Sequence, residues 1–131
     1  MTQTLEQQRA KYALEAVNRL QTASKEQQKN FISYASSLPS MIHMNGLGQA
    51  MAFNKAKSVE NNDKAESHKA LYDIVSCWLC REPQIYHAHQ DILDGITRQS
   101  MQDYQLAQTE TLLLLGWVKK FAKAFLADED S

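Results

Sequence analysis

The chain has 131 residues, the size of one ordinary domain, and 44% of them are hydrophobic. That is enough for one core and too much for a disordered chain. Fourteen Lys and Arg face fifteen Asp and Glu, for a net charge of −1, which excludes binding to nucleic acid through a global basic field and leaves only local basic strips.

Four Gly, two Pro and abundant Ala, Leu, Gln, Lys and Glu favour helices over strands. The first helix is expected over about 5–20. Thr4 with Gln7 fits a capping box. Ala10, Ala13, Leu14, Val17 and Leu20 form its core stripe, and Leu5, Arg9, Tyr12 and Ala16 a flanking row. Arg9 therefore stands on a partly apolar side, where it pairs with a buried carboxylate or reaches a phosphate or a neighbouring subunit. Ser24 caps a second helix that ends near Leu38, and Pro39 opens a new helical segment in its first turn.

Residues 38–53, Leu-Pro-Ser-Met-Ile-His-Met-Asn-Gly-Leu-Gly-Gln-Ala-Met-Ala-Phe, carry no full charge in a chain that is 22% charged. A solvent-facing helix is not written this way, so the segment is expected to be buried on most sides, in the core or against a partner. Asn45-Gly46 bends or interrupts it, with Asn45 a candidate cap for the helix that resumes through about Lys57. Gly46-x-Gly48 follows no strand and lacks a third glycine, so it is no dinucleotide fingerprint; its glycines serve close backbone approach. Met41, Met44, Asn45, Gly46, Leu47, Gly48 and Gln49 are the candidate packing or interface residues.

An exposed loop is expected over 58–64. A fourth helix follows over about 65–81, with Leu71, Tyr72, Ile74, Val75, Trp78 and Leu79 on its apolar face. Pro83 ends that helix or opens the next element. A short helix is expected near 90–98. Ser100 with Asp103 caps the last and longest helix, about 101–126. Its stripe of Tyr104, Ala107, Thr111, Leu114, Leu115, Val118, Phe121, Ala122 and Phe125 is widened by Leu112, Leu113 and Trp117. Such a helix is central to its bundle or also meets a partner. The fold class is all-α, a compact single-domain bundle of five to six helices over 1–131, with a short acidic tail at about 127–131.

Cys77-Trp-Leu-Cys80 and His87-Ala-His89 are weak metal candidates. Their spacing matches no common zinc module, and a Cys-x-x-Cys in mid-helix lacks the turn that offers both sulfurs to zinc. They support an alternative reading as a metal- or redox-responsive helical regulator, although a redox pair favours a helix N-terminus. Otherwise no cofactor is called for. His43 and His68 stand on or near apolar faces and read as core or boundary histidines. No nucleophilic triad or carboxylate pair declares itself, so the chain reads as no enzyme. Lys119, Lys120 and Lys123, near Gly116, either complement the negative end of the last helix dipole or form a phosphate-contacting strip. Lys55 and Lys57 divide the same way, and Arg9 and Lys11 complete the candidate phosphate-binding set.

Leu5-Glu-Gln-Gln-Arg-Ala-Lys-Tyr-Ala13, the segment from Tyr34 to Phe53, Leu71-Tyr72 with Trp78-Leu79, and Leu114-Leu-Gly-Trp-Val-Lys-Lys-Phe-Ala122 together resemble one family. It is the small helical subunit of the type III-B CRISPR RAMP-module (Cmr) effector. The likeness spans nearly the whole chain in the expected order; the Cys-x-x-Cys and His-x-His are not features of that family.

The resemblance implies an all-helical subunit without catalytic activity, in an RNA-guided antiviral ribonucleoprotein. Copies stack as a minor filament beside the backbone subunits and the guide–target duplex. The implied partners are other RAMP-module subunits, copies of the chain itself, and guide and target RNA through phosphates. The start is polar and no apolar run approaches a membrane span, so a cytoplasmic location with no membrane contact is expected. A free-standing helical nucleic-acid binder is a further alternative, disfavoured by the short basic strips.

Overall fold

The computed structural model describes residues 2–127. Among them the order is α1 (Leu5–Arg19), a 3-10 turn (Leu20–Thr22), α2 (Lys25–Asn45), α3 (Leu47–Lys57), α4 (Asp63–Leu79), α5 (Ile92–Arg98) and α6 (Met101–Phe125), with no strand. The all-α bundle expected from composition is therefore observed. The acidic residues 128–131 lie outside the described residues.

Local chemistry sets most boundaries. The capping box is closed at α1: Gln7 N–H donates to Thr4 Oγ1 at 3.1 Å, and Thr4 N–H donates to Gln7 Oε1 at 2.8 Å. Ser24 accepts from Gln27 N–H at 3.0 Å and Ser100 from Asp103 N–H at 3.1 Å. Asn62 accepts from Ala65 N–H at 2.8 Å, so α4 begins at Asp63 and the preceding loop is shorter than expected. After α4 the chain turns through 80–91 before Asp91 caps α5. Tyr86, fully buried, packs its ring where a side chain on Gly95 would stand.

Pro39 corrects one expectation. It does not start a new segment; α2 runs through it without a break. Proline removes the amide that would bond to the carbonyl of Ala35. Leu38 and Ile42, on either side, are 1% and 0% exposed and pack on the core, so tertiary burial outweighs the local cost. Asn45 corrects another. It is the last residue of α2 rather than a cap, and Gly46, at φ 87°, makes the joint to α3.

The core joins all six helices. Phe31, Leu38, Ile42, Leu47, Met51, Leu71, Leu79, Ile92, Leu114 and Leu115 are fully or nearly fully buried. On α1 the inward residues are Ala13, Ala16 and Val17, so the row that holds Arg9 and Ala16 turns towards the core more than the Leu14 side does.

Candidate functional site

Arg9 takes the carboxylate option. Its Nη2 donates to Glu110 Oε1 at 2.8 Å and its Nε donates to Glu110 Oε2 at 2.5 Å. Both side chains are about one-eighth exposed (12% and 13%). Oε2 also accepts from Trp78 Nε1 at 3.0 Å. A bidentate pair of this kind is geometrically specific, and the bond to Glu110 holds the Arg9 pKa above its ordinary value. The guanidinium thus serves the joint between α1, α4 and α6. Glu110 itself escaped sequence reasoning. Its only signal is a lone acid beside the long apolar run of α6.

Lys119 is half-buried, while Lys120 and Lys123 are exposed at the C-terminal end of α6. Along one side of α6, next to Lys120, runs an aromatic row: the rings of Trp117 and Phe121 stack at 5.6 Å, and those of Phe121 and Phe125 lie 6.2 Å apart. Leu113 and Leu106, 48% and 59% exposed, extend this apolar stripe along the outer face of the helix. So α6 is central to the bundle on one face, as expected, and leaves apolar side chains exposed on another.

Lys55 and Lys57 are exposed on α3, each near a ring: Lys55 Nζ lies 5.0 Å from the centroid of Tyr72 and Lys57 Nζ 5.5 Å from that of Phe53. Gln21 Nε2 donates to Phe125 C=O at 3.2 Å, Ala127 N–H donates to Gln28 Oε1 at 2.8 Å, and Ser24 Oγ donates to Asp63 Oδ1 at 3.2 Å. The Lys123 end of α6 and the loop after Lys57 therefore lead to the same α1–α2 corner. Lys11 stands apart, exposed on the rim of a mixed-charge cleft that includes Arg81 and Glu82.

The uncharged segment divides. Leu47 is fully buried. Its amide donates to Gln108 Oε1 at 3.0 Å, and Gly48 N–H donates to Tyr104 Oη at 2.9 Å. Two α6 side chains thus satisfy the free amides at the start of α3 that a capping residue would otherwise take. Gly46 is required twice over: its φ is left-handed, and a Cβ there would lie 2.8 Å from Tyr104 Oη. Met41 is half-buried, whereas Met44, Asn45 and Gln49 face outward, Met44 at 82% exposure. Burial on most sides holds for the inner face alone. Tyr104 and Gln108 were not legible as partners of Gly48 and Leu47, because each pairing spans more than fifty residues.

Among the described residues no group of three His, Cys, Asp or Glu side chains could hold a metal ion. Cys77 is exposed, and Cys80 is half-buried against the core with its thiol pushed up by burial. His87 Nδ1 lies 3.0 Å from Glu82 Oε2. His89, half-buried, belongs to the same turn region. His43 is exposed, while His68 is a buried histidine as expected. No helix among the described residues is long and apolar enough to cross a membrane.

The fold recurs in a solved structure, the crystal structure of a CRISPR-associated Cmr5 family protein from Thermus thermophilus. The match has a TM-score of 0.73 at 23% identity and covers 95% of this chain and 99% of that one. The family model for the CRISPR-associated protein Cas_Cmr5 matches residues 5–125, from the first residue of α1 to the last of α6. The chain belongs to the Cas_Cmr5 family, and with it to the small helical subunits of the Cmr complex in CRISPR defence.

Proposed function

We propose that the chain is a non-catalytic structural subunit, cytoplasmic, that stacks with copies of itself and with other RAMP-module subunits as a minor filament beside the guide–target RNA duplex. The observation that carries this is the outer face of α6, where Leu106, Leu113 and the Trp117–Phe121–Phe125 row run beside Lys120, with Lys123 further round the helix. An apolar stripe gives a protein contact, and the adjoining cations give a phosphate contact that is salt-sensitive and blind to sequence. Lys55, Lys57 and Lys11 are further phosphate candidates. Arg9 is committed to Glu110. Of the segment 41–49, His43, Met44, Asn45 and Gln49 are disposed to meet another subunit, with Met41 at the margin.

The test is K119A/K120A/K123A in the reconstituted complex. Loss of three phosphate contacts should reduce the slope of log affinity against log salt by roughly 2–3, at about 0.7 per contact for a single strand and about 0.9 for a duplex. The bundle should keep its helical content. Unchanged assembly and unchanged RNA affinity would sink the phosphate role.

A further inference from the structure

A cleft of about 280 Å³ opens between α2, α3 and α4, on the side of α3 away from its glycine joint. Leu38 and Met41 form its apolar floor, Tyr34 and Phe53 its aromatic walls, and Ser37 and His68 add polar atoms; no carboxylate lines it. The volume falls at the small end of ligand clefts, roughly 300 Å³ and upward, and suits one flat ring system rather than a whole cofactor.

His68 is 8% exposed, and its ring stacks on that of Tyr34 at 3.8 Å with Phe53 edge-on at 6.0 Å. Its Nδ1 lies 3.0 Å from Asn54 Oδ1, and Asn54 Nδ2 donates to Ala50 C=O at 3.0 Å. The second bond orients the amide, so an oxygen faces the imidazole and the proton between them belongs to Nδ1. Nε2 is left as a lone-pair acceptor, and no hydrogen bond to it occurs among the described residues. Burial and the Lys57 ammonium both push the imidazole pKa down, which keeps that acceptor neutral and available. Phe53 is 42% exposed and carries Lys57 Nζ 5.5 Å from its centroid, so a cation stands beside the aromatic wall.

We propose that this cleft seats one unpaired nucleobase of RNA. The base slides against the half-exposed Tyr34 and Phe53 rings, an N–H of its edge donates to His68 Nε2, and Lys57 meets the adjoining phosphate. Every base has a flat face and an N–H donor, so the site holds RNA without reading its sequence. The absence of a carboxylate and the cation beside the wall favour a nucleotide over a partner protein's side chain. The inference rests on the reading of Lys55 and Lys57 as phosphate contacts.

The test is NMR of the full chain with its histidine rings labelled, titrated with a hexameric single-stranded RNA and with an abasic ribose–phosphate chain of equal length. The expected result is that the His68 ring signals move with the hexamer and stay still with the abasic chain. S37F, from an exposed position, should plug the cleft and weaken hexamer binding by at least roughly fivefold, while S37A should not; M41W is a second plug if S37F fails to fold. Equal binding of both chains with a silent His68 would overturn the cleft while leaving the phosphate reading intact. No binding of either chain at low salt would overturn both. A plugged variant that still discriminates base from abasic chain but no longer assembles would overturn the base and assign the cleft to a protein partner.

Discussion

Glu110→Ala removes the acceptor from three donors at once: Arg9 Nε, Arg9 Nη2 and Trp78 Nε1. Arg9 stays behind as a mostly buried, unpaired guanidinium at 12% side-chain exposure. The indole N–H of Trp78, a residue 3% exposed, also loses its partner. Breaking a buried pair from one side costs about 3–5 kcal/mol; the residual exposure of both groups places this one at the lower end, about 3 kcal/mol. Unfolding entropy of about 2.1 cal/mol/K per residue gives roughly 0.28 kcal/mol/K for a chain of this length, so Tm should fall by about 11 °C. R9M/E110Q should cost less than E110A alone, because no charge is stranded and the glutamine still accepts from Trp78. Urea unfolding followed by circular dichroism and tryptophan fluorescence gives the free energies, and a thermal melt gives the Tm shift. If E110A lies within about 1 kcal/mol of the parent chain, or if R9M and E110Q simply add in the double variant, the three-helix joint is not the stabilising element inferred from its geometry.

Gly46→Ala should cost about 2–3 kcal/mol, since an L-residue is strained at φ 87°, ψ 160° and its Cβ would press on Tyr104 Oη; because Y104F alone removes the acceptor of the Gly48 amide, G46A should cost less in the Y104F background than in the parent chain, with the backbone strain left, as chemical denaturation of the single and double variants would show. His68 should make stability depend on pH below about 6.5. Its folded pKa is lowered, by burial first and Lys57 second, so the unfolded chain binds the proton more readily. Stability is fully present above the unfolded value and declines as pH falls below it, by at most about 1.4 kcal/mol per pH unit. H68Q should flatten the profile just below about pH 6.5, and an unchanged slope in denaturation midpoints would contradict the burial of the ring.

The helices were legible because their signals are local. Thr4, Ser24 and Ser100 each precede an apolar helical period, and all three caps form as the residue types dictate. Pro39 misled because the rule for proline describes an isolated helix, whereas Leu38 and Ile42 bury the same face on both sides of it. The charged candidates were legible only as a set. Sequence placed Arg9 on an apolar row, and that row needed Glu110, 101 positions away, before pairing and phosphate contact could be told apart. His68 was readable as a boundary histidine, but its tautomer depends on Asn54 and Ala50, residues whose meeting with α4 no periodicity announces.

The uncharged stretch 38–53 shows why absence of charge and burial are different statements. Its inner residues fill the core on both sides of Gly46, and Tyr104 and Gln108 occupy the polar atoms at the joint. A lysine or glutamate at Leu47, Ala50 or Met51 would be stranded beside apolar neighbours. The same argument does not reach Met44, 82% exposed, or Phe53, whose side chain walls the cleft. The core would tolerate a charge at either position, so the fold leaves their apolar character unexplained. What the fold cannot require, a contact outside it can: Met44 beside the outward Asn45 and Gln49 suits a neighbouring subunit, and Phe53 suits a stacked ring. A charge scan separates the two demands. M44K should leave the denaturation midpoint within about 0.5 kcal/mol of the parent chain while weakening assembly of the complex, and a variant that unfolds instead would return Met44 to the core.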